Sequence, residues 1–292
     1  MMLSRSRALA LLGSAALLPQ CSRGNAIRIG SKDFTESFII AEIYAQALSG
    51  AGLAVQRHLN LGSTQIAMAA MQRGDIDLYP EYTGTALIDV LHLAPISNPA
   101  LLFRTVSVAF AQKYNLIWLN ASPLNDSQGL ATTRTIAARY RLQTLSQLAP
   151  LAKGLRLATI PEFVSRPDGL PGLQRVYGGF HFLSVRVFDI ALKYQALMHG
   201  QADIATAFTT DGAIATDRLV LLQDDRHLWP PYNVAPVVRR TTLAREPRIR
   251  TILDPISAAL TSAVAQRMNA AVESGNSDPR GVAAAFLKSI RH

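Results

Sequence analysis

The chain has 292 residues, 49% of them apolar and 17% charged, with a formal net charge of +9. That balance excludes a disordered polyelectrolyte and provides a substantial core for one or two domains. The positive charge raises nucleic acid or an anionic membrane as partners. However, Lys and Arg are scattered in short pairs such as Arg239–Arg240, no nucleic-acid motif accompanies them, and no nucleic-acid partner is expected.

Arg5 and Arg7 precede an apolar stretch from Ala8 to Leu18, which Pro19 ends. The stretch is shorter than the ~20 residues of a membrane span and fits an export signal over 1–24, which implies a periplasmic protein. Cys21, the only cysteine, stands where a lipid-attachment cysteine would stand. Leu18-Pro19-Gln20 before it are not the small residues of such a site, so ordinary cleavage just downstream is the alternative. A single cysteine forms no internal disulfide.

The next segment, Ile27 to Gly30, has a strand pattern. Asp33 and Glu36 fit a capping pair at N-cap and N3, and Phe38, Ile39, Ile43, Ala47 and Leu48 then recur at helical spacing until Gly50 and Gly52. Leu53–Leu59 reads as a strand, Gly62-Ser63-Thr64 opens a helix to Gly74, and Ile76–Tyr79 is a third strand. Helices follow over 82–93 and 98–113, then a strand over Leu116–Leu119. This alternation predicts a mostly parallel sheet with helices on its faces.

The polar segment 121–127 reads as a crossover into a second α/β block. Its strands fall at 128–132, 155–159, 183–187, 203–207 and 219–222, and its helices at 133–140, 144–149, 169–177 and 189–199. Trp229-Pro230-Pro231-Tyr232 breaks the chain near a second crossover, 229–234. A strand at Val234–Val238 and helices from 248 to 290 complete it, and no internal repeat stands out. The fold class is therefore α/β with two lobes, 25–125 with 233–292 and 126–232, hinged at the crossovers. A ligand cleft is expected between them.

Catalytic signatures are missing: no P-loop, no GxGxxG after a strand, no GxSxG, and no metal spacing among the six histidines. No enzyme activity, metal or cofactor is expected. Asp126 and Glu162 are the only acid–base candidates for an enzyme built on this fold.

Several segments point one way together: Gly30-Ser31-Lys32-Asp33-Phe34-Thr35-Glu36, Asn60-Leu61-Gly62-Ser63-Thr64, and Asp77-Leu78-Tyr79-Pro80-Glu81-Tyr82-Thr83-Gly84-Thr85. Further on come Glu162-Phe163 with Arg166-Pro167-Asp168-Gly169-Leu170, then Thr209-Thr210-Asp211-Gly212, and last Pro230-Pro231-Tyr232-Asn233. In this order, over nearly the whole mature chain, they resemble the substrate-binding proteins of osmoprotectant ABC importers, and within them the OsmF (YehZ) branch. The resemblance implies a two-lobed periplasmic binding protein fold with two crossovers. It also implies a ligand such as glycine betaine, choline or carnitine, an ABC permease in the inner membrane as partner, and a monomer.

A quaternary ammonium has no N–H to donate, so aromatic faces suit it. A betaine carboxylate needs an Arg fork or fixed N–H donors. The resemblance places Tyr82 and Tyr232 in an aromatic cage and Arg166 and Lys32 at carboxylate-binding positions. Thr85 is either a further donor or a helix cap, and Tyr79 reads as packing. The chain departs from the family twice. Phe208 stands where a tyrosine is usual, which keeps the ring and loses the hydroxyl. Gln128 stands where an aromatic is expected, while Asp126 keeps a carboxylate for the cation. The ligand is thus either a betaine held weakly or a different zwitterion or cation, such as an amino acid or polyamine.

Overall fold

The computed structural model describes residues 26–290 apart from 191, 216–218 and 276. The export-signal reading and Cys21 lie outside the described residues. Among the described residues no helix is long and apolar enough to cross a membrane.

Among the described residues ten strands form, each on a segment marked by the sequence: β1 (Ile27–Gly30), β2 (Val55–His58), β3 (Leu78–Tyr82), β4 (Leu116–Trp118), β5 (Gln128–Thr133), β6 (Arg156–Thr159), β7 (Ser184–Val187), β8 (Ile204–Phe208), β9 (Leu219–Leu221) and β10 (Val234–Arg239). They build two five-stranded sheets, ordered β2-β1-β3-β10-β4 and β7-β6-β8-β5-β9. The central strands are apolar and buried, β3 along its whole length, as expected of sheets covered on both faces.

Each sheet has one strand running against the rest, β10 in the first and β5 in the second. These are the strands that follow the two crossovers. The other strands end toward the crossovers, whereas a strand arriving from the other sheet starts there and runs away. β10 sets Pro236 opposite Pro80 of β3 in a central pair. Pro236 turns its carbonyl to Leu119 N (2.9 Å), on the β4 side, so neither proline is asked for an N–H across the pair.

The crossovers are zipped side by side. Ser122 N donates to Val234 O (2.8 Å), Asp126 N to Tyr232 O (3.2 Å), and the Asn233 amide to Ser122 O and Leu124 O (3.1 and 3.2 Å).

Both sheets contain one repeated corner that leaves no visible repeat in the sequence. Arg28 donates from its backbone N, Nε and Nη2 to Asp77, and Arg156 donates the same three ways to Asp203. The helix before each aspartate ends on a glycine with positive φ, Gly74 (79°) and Gly200 (67°). The signal is only a Gly-x-x-Asp preceding a strand, too short to register as a repeat.

One helical expectation fails and another is shortened. The first helix runs Thr35–Gly50 with Phe34 as its N-cap and no side-chain cap. Asp33 is therefore not the cap, and Glu36 is turned inward and buried because it has partners there. The helix expected over 82–93 forms over a shorter span, α-helical at Thr83–Thr85 and π-helical at Ala86–Val90. Such turns recur at functional positions, and this one carries Asp89.

Candidate functional site

The ends of β3, β5 and β8 and the two crossovers meet at one place, where several buried polar networks converge. Lys32, 4% exposed, follows β1 and donates from Nζ to Glu81 Oε1 (2.7 Å) and Thr64 Oγ1 (3.2 Å). Glu81 also accepts Tyr82 N (2.7 Å) and the Tyr79 hydroxyl (2.7 Å). Tyr79 is wholly buried. The Lys32 ammonium lies 5.0 Å from the centroid of the Tyr82 ring.

On its other side Tyr82 donates its hydroxyl to Glu36 Oε1 (2.7 Å). Glu36 Oε2 accepts from the Asn269 amide (3.1 Å), which also donates to Thr210 O (2.8 Å). Thr210 N in turn donates to Asp126 Oδ1 (3.3 Å). Burial raises the Glu36 pKa. Burial, then the nearby charges of Glu36 and Asp211, pushes Asp126 well above the usual carboxylate range.

Another network joins Arg166, Gln128 and Tyr232 through Asp168, to which the sequence assigned no role. Arg166 Nε and Nη2 fork onto both Asp168 oxygens (2.9 Å each). Asp168 Oδ2 also accepts the Gln128 amide (2.6 Å) and the Tyr232 hydroxyl. Trp229 Nε1 fixes the Asp168 carbonyl (2.7 Å). Arg166 Nη1 reaches Asp89 Oδ2 (2.9 Å). Burial works against the Arg166 charge, but the bonds and charge of Asp168 outweigh it and raise the guanidinium pKa. A cleft of about 380 Å³ opens beside this network, lined by Ile88, His92, Leu93, Pro167, Asp168 and Arg175 among others.

Phe208, at the end of β8, stands opposite Gln128 in the β5–β8 register. It lies close to Lys193, Tyr194 and Asp211, none of which the sequence reading singled out as a site residue. The Tyr232 ring is held against β3's following turn: a Cβ on Gly84 would lie 2.6 Å from two of its ring carbons. Thr83 Oγ1 donates to Pro231 O (3.1 Å) and accepts Asn233 N (3.0 Å), which pins the second crossover to the same turn. Thr85 is buried in that turn.

The structure thus bonds Gln128, Arg166 and Tyr232 into one network, stacks Lys32 on Tyr82, and sets Asp126 and Phe208 beside them. Glu162 lies apart in the Pro161–Ser165 helix, where its main-chain carbonyl accepts Arg166 N (2.9 Å). Asp89, Glu81 and Asp168 were missed in role because a carboxylate, whether in a strand, a helical turn or a loop, carries no sequence sign of which cation it will face.

Comparison with known proteins agrees with this architecture. The family profile described as the substrate binding domain of ABC-type glycine betaine transport system matches residues 25–289. A glycine-betaine-binding protein of Pseudomonas aeruginosa is 34% identical over 293 residues, covering 97% of this chain and 93% of that one. The glycine betaine-binding protein YehZ of Escherichia coli is 30% identical, covering 90% of each. A crystal structure described as a glycine betaine/carnitine/choline ABC transporter superposes with a TM-score of 0.76 at 29% identity, covering 90% of this chain and 98% of that one. The fold is that of the two-lobed periplasmic binding proteins. The chain belongs to the family of substrate-binding domains of ABC-type glycine betaine transport systems, which are solute-binding proteins and not enzymes.

Proposed function

We propose that this protein captures a small quaternary amine, glycine betaine or a related compatible solute, and delivers it to an inner-membrane ABC permease. The lobes are residues 25–125 with 233–292, and 126–232, closing by hinge motion at the crossovers. The protein acts in the periplasm as a monomer, exported by its N-terminal segment, with Cys21 the candidate for lipid attachment. Tyr82, Tyr232, Phe208 and Asp126 receive the cation, with Gln128 at the edge of the cage. Arg166, Lys32 and Thr85 receive a carboxylate.

The observation that carries this reading is the convergence of Tyr82, Tyr232, Asp126 and Arg166 at the meeting of both sheets and both crossovers, all at least mostly buried. Aromatic faces and a carboxylate at one end, with a guanidinium at the other whose fork, held by Asp168 without ligand, a ligand carboxylate would share or take over, match a methylated zwitterion.

Calorimetric titration of the mature protein with glycine betaine, choline, carnitine and proline betaine tests it. Saturable binding that weakens about tenfold or more on Tyr232→Ala is expected. Arg166→Ala should weaken betaine more than choline, which has no carboxylate. No binding to any of the four would overturn the reading. It would leave an amino acid or polyamine as the alternative, which the Gln128 amide in place of an aromatic wall favours.

A further inference from the structure

We propose that Lys193 is a built-in cation that fills an aromatic subsite of the cleft and thereby determines which ligand cations the site accepts. The inference rests on the quaternary-amine reading above and concerns a residue to which that reading gives no part.

Lys193 opens the Lys193–Met198 helix, and its side chain is 1% exposed. Its ammonium lies 4.6 Å from the centroid of the Phe208 ring and 4.7 Å from that of Tyr194. It pairs with Asp211 Oδ2 at 3.1 Å. Asp211 Oδ2 also accepts Phe208 N (3.0 Å) and the Tyr194 hydroxyl. Two ring faces and a carboxylate around one cation are the components that hold a quaternary ammonium, and here the chain supplies the cation itself.

The subsite is continuous with the proposed cleft, because Phe208 is the register partner of Gln128 and Thr210, between Phe208 and Asp211, binds Asp126 through its N–H. One face of Phe208 is therefore taken. A ligand ammonium brought to that face would meet a like charge held in place by a salt bridge, and repulsion between like charges at such range costs affinity. The ligand cation is confined to Tyr82, Tyr232, Asp126 and the other face of Phe208. Large trimethylammonium groups, which gain most from a further wall, lose most. Lys193 is in this sense a specificity-determining residue.

The test titrates wild type, Lys193→Met and Lys193→Arg with tetramethylammonium, choline and glycine betaine, and follows thermal unfolding with and without each. Methionine keeps the apolar stem and removes the charge, which leaves Asp211 and two rings open to an external cation. The methionine variant should bind choline roughly tenfold more tightly than wild type, while the arginine variant binds as wild type does. Without ligand the methionine variant should melt lower, and choline should raise its melting temperature by more than it raises that of wild type. A merely structural lysine would give the lower melting temperature without the tighter binding. If wild type binds and a folded methionine variant binds no more tightly, this inference falls and the quaternary-amine reading stands. If neither protein binds any of the three probes, both fall. Should the methionine variant fail to fold, Lys193→Gln carries the same expectation and the same refutation.

Discussion

Arg166 Nη1 donates to Asp89 Oδ2 at 2.9 Å and ties the loop after β6 in the second sheet's unit to the π-helical turn after β3 in the first. The pair bridges the two units, with both side chains mostly buried. Arg166 keeps Asp168 when Asp89 is removed, so the loss is smaller than for a buried charge left alone. Asp89→Asn should lower the ligand-free stability by about 1–3 kcal/mol and enlarge the radius of gyration in small-angle scattering. An unchanged denaturation midpoint and an unchanged scattering profile would mean that the bridge does not hold the units together.

Gln128 occupies a position where the family pattern led us to expect a ring, and its amide is spent on Asp168 and the Tyr232 hydroxyl, at 2.6 and 3.2 Å. Gln128→Tyr adds a wall to the proposed cage and removes a donor from Asp168. Binding of quaternary amines should tighten about tenfold. Ligand-free stability should fall by about 1 kcal/mol. Calorimetry and chemical denaturation on the same variant separate the two effects.

Gly84 is required by the approach of Tyr232 rather than by backbone conformation. A Cβ there would lie 2.6 Å from Cδ1 and Cε1 of the ring and 2.9 Å from Pro231 O. Gly84→Ala should cost about 1–3 kcal/mol by overpacking and displace Tyr232, weakening any ligand that uses its face. Titration of the alanine variant with the tightest wild-type ligand is the direct check.

The ten strands among the described residues were legible, most of them because they are short apolar or β-branched runs punctuated by Gly, Pro or polar residues; Val55–His58, with Gln56, Arg57 and His58, is not such a run. The antiparallel run of β5 and β10 was not legible, since local pattern holds no information on direction. The failures cluster at the site. Asp33 and Glu36 satisfy the capping rule in sequence, but Tyr82 and Asn269 offer Glu36 bonds from distant parts of the chain. Lys193 falls inside the helix expected over 189–199 with no local sign that Asp211 and the Phe208 ring will enclose its ammonium. Tyr82, Arg166 and Tyr232 are candidates because family motifs mark them, whereas the carboxylates that pair with Lys32 and Arg166 had no mark beyond lying in those motifs or near them.

The repeated corner allows a comparison within one molecule. Asp77 is 2% exposed and also accepts Thr242 Oγ1 at 3.0 Å, whereas the Asp203 side chain is 20% exposed. Each aspartate's pKa is held below the usual value, Asp203 chiefly by its bond to Arg156, and Asp77 by its bonds to Arg28 and Thr242 against the opposing effect of burial. Asp77→Asn should therefore destabilise by about 2–4 kcal/mol and Asp203→Asn by about 1–2 kcal/mol. Equal costs would mean that burial does not decide the strength of this clamp.

The last expectation concerns pH. Asp126 is buried near Glu36 and Asp211, and its carboxyl holds its proton well above the usual range, first through burial and then through those two charges. Burial also raises Glu36, against its bonds from Thr210, Tyr82 and Asn269. In the unfolded chain both groups release their protons near pH 4. From about pH 4 up to the raised folded-state values, the folded chain therefore binds more protons than the unfolded one, and stability falls as pH rises. A bound cation has the opposite preference, because it gains from an ionised Asp126. Ligand-free melting temperature should decline from pH 5 toward pH 8 while choline affinity increases over the same interval. Asp126→Asn removes one titrating group, so it should flatten both trends and leave the remaining slope in melting temperature to Glu36, Asp89 and Glu273, whose values burial also raises, that of Glu273 to about 7. A choline affinity that stays constant with pH in wild type would place the ligand cation away from Asp126.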